Sequence, residues 1–173
     1  FQAEDGIRDS SVTGVQTVLF RSSSSKIPTE SYKSEVKVMN YNTHKGEIKA
    51  IPDRGIVQAT CDAYGVRQDA TRHFYPYFDQ DGKEVAQKVR NVEHKNFSVE
   101  GQWSQACLFG QQLFQKGGKY ITICEGELDA LAAYQMTGSK WPVVSIRNGA
   151  SAALKDCKAN YEYLDSFDAI VLC

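Results

Sequence analysis

The chain has 173 residues, of which 42% are apolar, 24% charged and 11% aromatic, a composition that suits one globular domain of ordinary size, or a smaller one with an appendage. Its formal net charge is −1, so there is no global basic field, and any nucleic-acid contact must come from a local patch. No apolar run approaches the roughly 18 residues of a membrane helix, and the scattered cysteines (Cys61, Cys107, Cys124, Cys157 and Cys173) form no CxxC pair and are odd in number, which argues against a zinc ribbon or a disulfide framework and for a reducing, intracellular setting.

Residues 1–22 lack the basic start and apolar centre of a signal peptide. They also hold no sustained period of 3.6 or 2. They resemble a translated sequencing-library adapter: Ala3-Glu4-Asp5-Gly6-Ile7-Arg8-Asp9, two variable positions at Ser10 and Ser11, then Val12-Thr13-Gly14-Val15-Gln16-Thr17. This segment is expected to lie outside the fold; a natural unstructured tail is the alternative. Residues 23–47 open on a serine run and read as a linker or loosely attached arm.

Asp53 is placed to cap a short helix over about 55–64. Gly65 is its expected stop, and Ile56, Ala59, Thr60 and Ala63 its inward face. Residues 73–78 are aromatic-rich and strand-like, and Asp79-Gln80-Asp81-Gly82 is a turn. Residues 83–90 then alternate, with Val85, Gln87 and Val89 on one side and Glu84, Ala86, Lys88 and Arg90 on the other. Together these predict a β-hairpin. Residues 91–105 read as a polar connection.

From Lys119 the pattern changes. Residues 120–124 predict a buried strand, 127–138 a helix, 142–146 a second strand, 149–164 a second helix and 168–172 a third strand. Strand and helix alternating over short links predict an α/β fold with a parallel sheet and right-handed crossovers. Ligands of such sheets bind outside the carboxyl ends of the strands, where Glu125 and Gly149 fall.

Glu125 ends the first parallel strand, and Asp129 falls in the first turn of the following helix. Hard cations such as Mg²⁺ take such carboxylates together with substrate phosphates. Acidic residues at a helix start also simply complement its macrodipole, and spacing leaves both readings open. Lys88 and Arg90 share a strand face by the period of two, which permits a phosphate track or a solvated face. Gly149, Ala150 and Ser151 open a helix whose free N–H groups can cradle a phosphate; close packing of small residues is the alternative. Phe97, Phe74, Tyr75, Tyr77 and Phe78 can stack bases or pack the hairpin. Cys124, inside a buried strand, reads as core.

Glu125-Gly126-Glu127-Leu128-Asp129 resembles the E-G-x-x-D motif of Toprim domains, found in primases and topoisomerases. More broadly, residues 45–173 resemble the primase half of phage-type bifunctional primase–helicases. The resemblance runs through Pro52-Asp53-Arg54-Gly55-Ile56, Gln87-Lys88-Val89-Arg90, Lys95-Asn96-Phe97, Leu108-Phe109-Gly110, the Glu125 segment and Asn148-Gly149-Ala150-Ser151-Ala152-Ala153, in that order. It implies a small mixed α+β subdomain over 48–110, with a helix and a β-hairpin. A Toprim-like parallel sheet, truncated at its C-terminal side, is expected over 111–173.

The resemblance also implies a reaction: ribonucleotides joined on a single-stranded DNA template by nucleotidyl transfer with Mg²⁺ or Mn²⁺. By position, Glu125 is the expected catalytic residue and a metal ligand, and Asp129 a supporting ligand. Lys88, Arg90, Lys95 and Arg54 are expected to contact template and nucleoside triphosphate, and Gly149, Ala150 and Ser151 form a candidate phosphate-binding turn. A 5′–3′ helicase is expected in the same parent chain, acting in the cytoplasm of a phage-infected bacterium with no membrane partner. The family's F-D-x-D cluster and N-terminal zinc module do not occur in these residues, so the chain is expected to be a fragment, without a zinc site and inactive alone. Two other readings share the resemblance: a non-catalytic domain that only binds single-stranded DNA, and another Toprim enzyme such as a topoisomerase or nuclease.

Overall fold

The computed structural model describes residues 45–173 and a two-residue strand, β1 (Thr17–Val18). The rest of the adapter-like segment and nearly all of the expected arm lie outside the described residues. Ile51 and Ile56 bridge across a 3₁₀ turn, Pro52–Arg54, before helix α1 (Gln58–Tyr64), which ends at Gly65 as predicted. The helix starts later than expected, and Asp53 does not cap it. Gln135, from a later helix, does so instead. The Val57 N–H and the Thr60 hydroxyl donate to Gln135 Oε1 at 2.9 and 3.2 Å, and Gln135 Nε2 donates to the Gly55 carbonyl at 2.9 Å. The inward face is met in part: Ile56 and Thr60 are buried as expected. Thr60, Cys61 and Tyr64 are buried, whereas Ala59 and Ala63 are exposed, because Tyr64 gains far more from burial than an alanine does.

Strands β2 (Arg67–Gln68), β3 (Arg72–Phe78), β4 (Glu84–Asn91) and β5 (Phe97–Gly101) form an antiparallel sheet in that order. The β3–β4 hairpin is the predicted one. Strand β5 lies inside the stretch read as a polar connection. Its first three residues face solvent, so no apolar alternation announced it, and its ladder with β4 supplies the pairing. A 3₁₀ turn, Trp103–Gln105, follows.

The second half gives β6 (Gly118–Cys124), α2 (Glu127–Met136), β7 (Val143–Ser145), α3 (Ala153–Ala159), α4 (Tyr161–Leu164) and β8 (Phe167–Leu172). Strands β7 and β8 flank β6 in parallel, as predicted. On the outer side of β8, β1 pairs antiparallel, Thr17 with Val171 and Val18 with Ile170; here the segment expected outside the fold meets it. The helix predicted over 149–164 is interrupted. A 3₁₀ turn, Ala150–Ala152, precedes α3. Asn160 then separates α3 from α4, its side chain donating to the Asp156 carbonyl at 2.9 Å, a local bond that competes with the helical ladder.

Two buried layers hold the sheets. Tyr64, Tyr75, Tyr77, Phe109, Leu131 and Val143 belong to one, which joins the antiparallel sheet to α1, α2 and the parallel sheet. Ile121, Ile123, Val144, Leu164 and Phe167 belong to the other, beneath α4. Among the described residues no helix is long and apolar enough to cross a membrane.

His73 is buried on β3, with Nδ1 3.2 Å from the Tyr75 hydroxyl. Burial first, and then the charge of Arg90, hold its pKa below the ordinary 6.5. The unfolded chain therefore binds more protons than the folded one as pH falls. The contribution is complete above about pH 6.5 and declines from there toward the lower folded value. Urea unfolding of wild type and His73→Gln at about pH 7.5 and pH 5.5 checks this: wild type should lose more stability on acidification than the variant.

Candidate functional site

Register brings the strand ends level. Cys124 pairs with Ser145, and Ile123 with Leu172. Cys124 is core, as read, and burial pushes its thiol up to about 12. Glu125 is the first residue past β6 and its side chain is exposed; Asp129, in the first turn of α2, is exposed as well. A β-carbon at position 126 would lie 3.1 Å from Asp129 Oδ2, and one at position 149 would lie 3.9 Å from Glu125 Oε1. Gly149 (φ 73°, ψ 176°) has a backbone open essentially to glycine alone. Glu125, Asp129 and Gly149 thus share one rim, as the sequence implied. Ala150 and Ser151 continue it as a 3₁₀ turn and not as the start of an α-helix.

Among the described residues no three His, Cys, Asp or Glu side chains converge as a metal-ligand set. Glu125 and Asp129 stand as two exposed carboxylates. In kind, such donors are those of a magnesium-type ion, which keeps several waters and takes one or two carboxylates with substrate phosphates.

The second glutamate of the motif does different work. Glu127 is 5% exposed. Its Oε1 accepts hydrogen bonds from Lys88 Nζ at 2.7 Å and from the Tyr77 hydroxyl at 2.5 Å. Lys88 Nζ also donates to the Arg147 carbonyl at 2.8 Å. Lys88, expected as an open member of a basic ridge, is therefore largely buried and ties β4 to the start of α2. Two of its three N–H donors are used, which leaves one for a ligand. Burial, and then the Glu127 charge, hold the Tyr77 hydroxyl well above its ordinary range, so it stays a donor.

Arg147 fixes the turn after β7. Its Nε and Nη2 donate to Asp156 Oδ1 at 3.0 and 2.7 Å, and its backbone N–H donates to Oδ2 at 2.8 Å. Its Nη1 reaches the carbonyls of Ala106 and Trp103 at 2.7 and 3.1 Å. Sequence assigned no role to Glu127, Arg147 or Asp156, and marked Tyr77 only as an aromatic for stacking or packing. Lys88 lies 39 positions from Glu127, and Tyr77 lies 50, beyond any spacing rule. The doubled glutamate was the one available signal.

Arg90 shares the Lys88 face, as predicted, and lies opposite Phe97. Lys95 is exposed at the β4–β5 turn with a left-handed backbone (φ 52°). Arg54 is exposed on its 3₁₀ turn, and its charge, like that of Arg90, bears on His73. Among the described residues none of these three pairs with a carboxylate within 4.0 Å.

The family described as bacteriophage T7 DNA helicase/primase, N-terminal a+b fold, matches residues 46–101. The DNA helicase/primase of Enterobacteria phage T3 is 41% identical over 139 residues, which is 78% of this chain and 24% of that protein. The chain thus spans about a quarter of that relative. The primase fragment of the bacteriophage T7 primase-helicase protein is 39% identical with a TM-score of 0.70, over 83% of this chain and 62% of that one. A second structure, of the T7 lagging-strand DNA polymerase with primase domains of two gp4 subunits bound to an RNA/DNA hybrid and dTTP, matches at 40% identity and a TM-score of 0.67, over 76% of this chain and 69% of that one. The E. coli primase catalytic core matches in fold alone, at 10% identity and a TM-score of 0.52, over 71% of this chain and 53% of that one.

Removing one partner of a buried ion pair leaves an uncompensated charge. Asp156→Ala should therefore cost roughly 3–5 kcal/mol in guanidinium unfolding. Asp129→Ala, at an exposed position, should change stability by under about 0.5 kcal/mol.

Proposed function

Since the chain belongs to the primase half of the phage-type primase–helicases, we propose that it supplies part of the nucleotidyl-transfer face of a DNA-templated RNA primase. One observation carries this reading: the exposed Glu125 shares a rim with Asp129 and Gly149, and Lys88 joins that rim to a cationic sheet face. The proposed reaction is attack of a 3′-hydroxyl on the α-phosphate of the next nucleoside triphosphate, with pyrophosphate leaving. Glu125 stands at the rim where that hydroxyl would enter and takes its proton. The third N–H of Lys88 meets a phosphate oxygen. Glu127 and the Arg147 carbonyl hold that ammonium in place, so little side-chain entropy is lost when phosphate arrives. Arg90, Lys95 and Arg54 neutralise template phosphates. Mg²⁺ or Mn²⁺, held by Glu125 and Asp129, would offset the charge developing on the phosphates.

The chain spans about a quarter of the T3 relative, so primer synthesis is proposed for the whole primase–helicase. Single-stranded DNA, nucleoside triphosphates and a helicase in the same parent chain are the partners this reading implies. Glu125→Gln in the full-length primase–helicase tests it. Synthesis on a single-stranded template should fall by at least about 100-fold, with template binding nearly unchanged. Synthesis at the wild-type rate would remove Glu125 from the chemistry and favour a domain that only binds DNA.

A further inference from the structure

Five aromatic residues of the antiparallel sheet were open to either stacking or packing, and the structure separates them. Phe74, Tyr75 and Tyr77 are buried, and Phe78 is half-buried. Phe97 is 53% exposed. Cross-strand register sets Phe97 opposite Arg90 and Val99 opposite Lys88, so all four side chains lie on one face. Lys88 Nζ lies 5.1 Å and Arg90 Cζ 5.7 Å from the Phe97 ring centroid. Val99, 43% exposed, extends the apolar surface beside the ring.

From this arrangement we infer that Phe97 is a stacking platform for a base of the single-stranded DNA template, an inference that rests on the primase reading above. Grooves for single strands pair cations that track the backbone with aromatic faces that take bases, and this face carries both. Arg90, opposite Phe97 in the ladder, places a cation beside the ring. Lys95 continues the charge at the hairpin turn. Arg90 beside the ring and Lys95 beyond it, neither paired with a carboxylate among the described residues, suit the phosphates of a strand. Lys88 also binds Glu127, two residues from Glu125, so a base on Phe97 sits beside the proposed reaction rim.

The test uses the 173-residue chain at low salt, with a fluorescein-labelled oligo-dT of about ten nucleotides and an abasic strand of equal length. Phe97→Ala should weaken oligo-dT binding by about fivefold or more and leave abasic binding unchanged. Phe97→Trp should preserve the preference for bases. Arg90→Ala should weaken both strands alike. Circular dichroism confirms that each variant folds. Equal loss on both strands, or no loss on either, with Phe97→Ala overturns the platform. So does a Phe97-dependent signal seen with ribonucleoside triphosphates and not with DNA. If binding depends on Arg90 but not on Phe97, stacking alone fails. If neither strand binds wild type, the template reading fails with it.

Discussion

The contact between Lys88 and Glu127 is the constraint around which the rest is arranged. It takes a cation from the middle of β4 and an anion from the first turn of α2 and holds both away from water. A buried pair repays its desolvation only when the geometry is good and the remaining donors and acceptors are satisfied. Here the Tyr77 hydroxyl and the Arg147 carbonyl supply those partners. The result is positional. The antiparallel sheet cannot slide along the parallel one without stranding a charge, so the Arg90 and Phe97 face keeps a fixed place beside the strand-end rim.

One short motif carries two opposite environments. Glu125, just past β6, is exposed, whereas Glu127, already in α2, points into the joint between the sheets and is buried. An exposed carboxylate stays free for an ion or a proton, while a buried one is committed to its partners. Arg147 and Asp156 secure the other wall. Their bonds tie the β7 turn to α3 and to the 103–106 segment, and the Arg147 carbonyl in turn receives Lys88. The rim is thus built by groups that are themselves held by others.

The parallel sheet was legible because its strands are continuous apolar runs bounded by short links, and its strand ends followed from topology. The β3–β4 hairpin was legible through the Asp79–Gly82 turn. Strand β5 was not, because Phe97 and Val99 face solvent and an exposed strand carries no burial alternation. The cap of α1 was assigned to nearby Asp53, yet it is made by Gln135, 78 positions from the Val57 N–H that it accepts. Local rules favour the neighbour, and tertiary packing supplied another acceptor. At the site, Glu125, Asp129 and Gly149 were readable at the strand ends, and Arg90 from the period of two. The locking of Lys88 was not, since it joins positions that only the fold brings together. Family membership was legible in the order of motifs, and the reaction comes from that resemblance.

The claim that the Glu125 and Asp129 rim receives the cation can be tested on this chain directly. Amide NMR spectra are recorded while Mn²⁺ is titrated into wild type and into Glu125→Gln. Paramagnetic broadening is expected to centre on residues 125–129 and 148–151 in wild type and to be lost in Glu125→Gln. Broadening centred elsewhere, or broadening at the rim that survives Glu125→Gln, would contradict it.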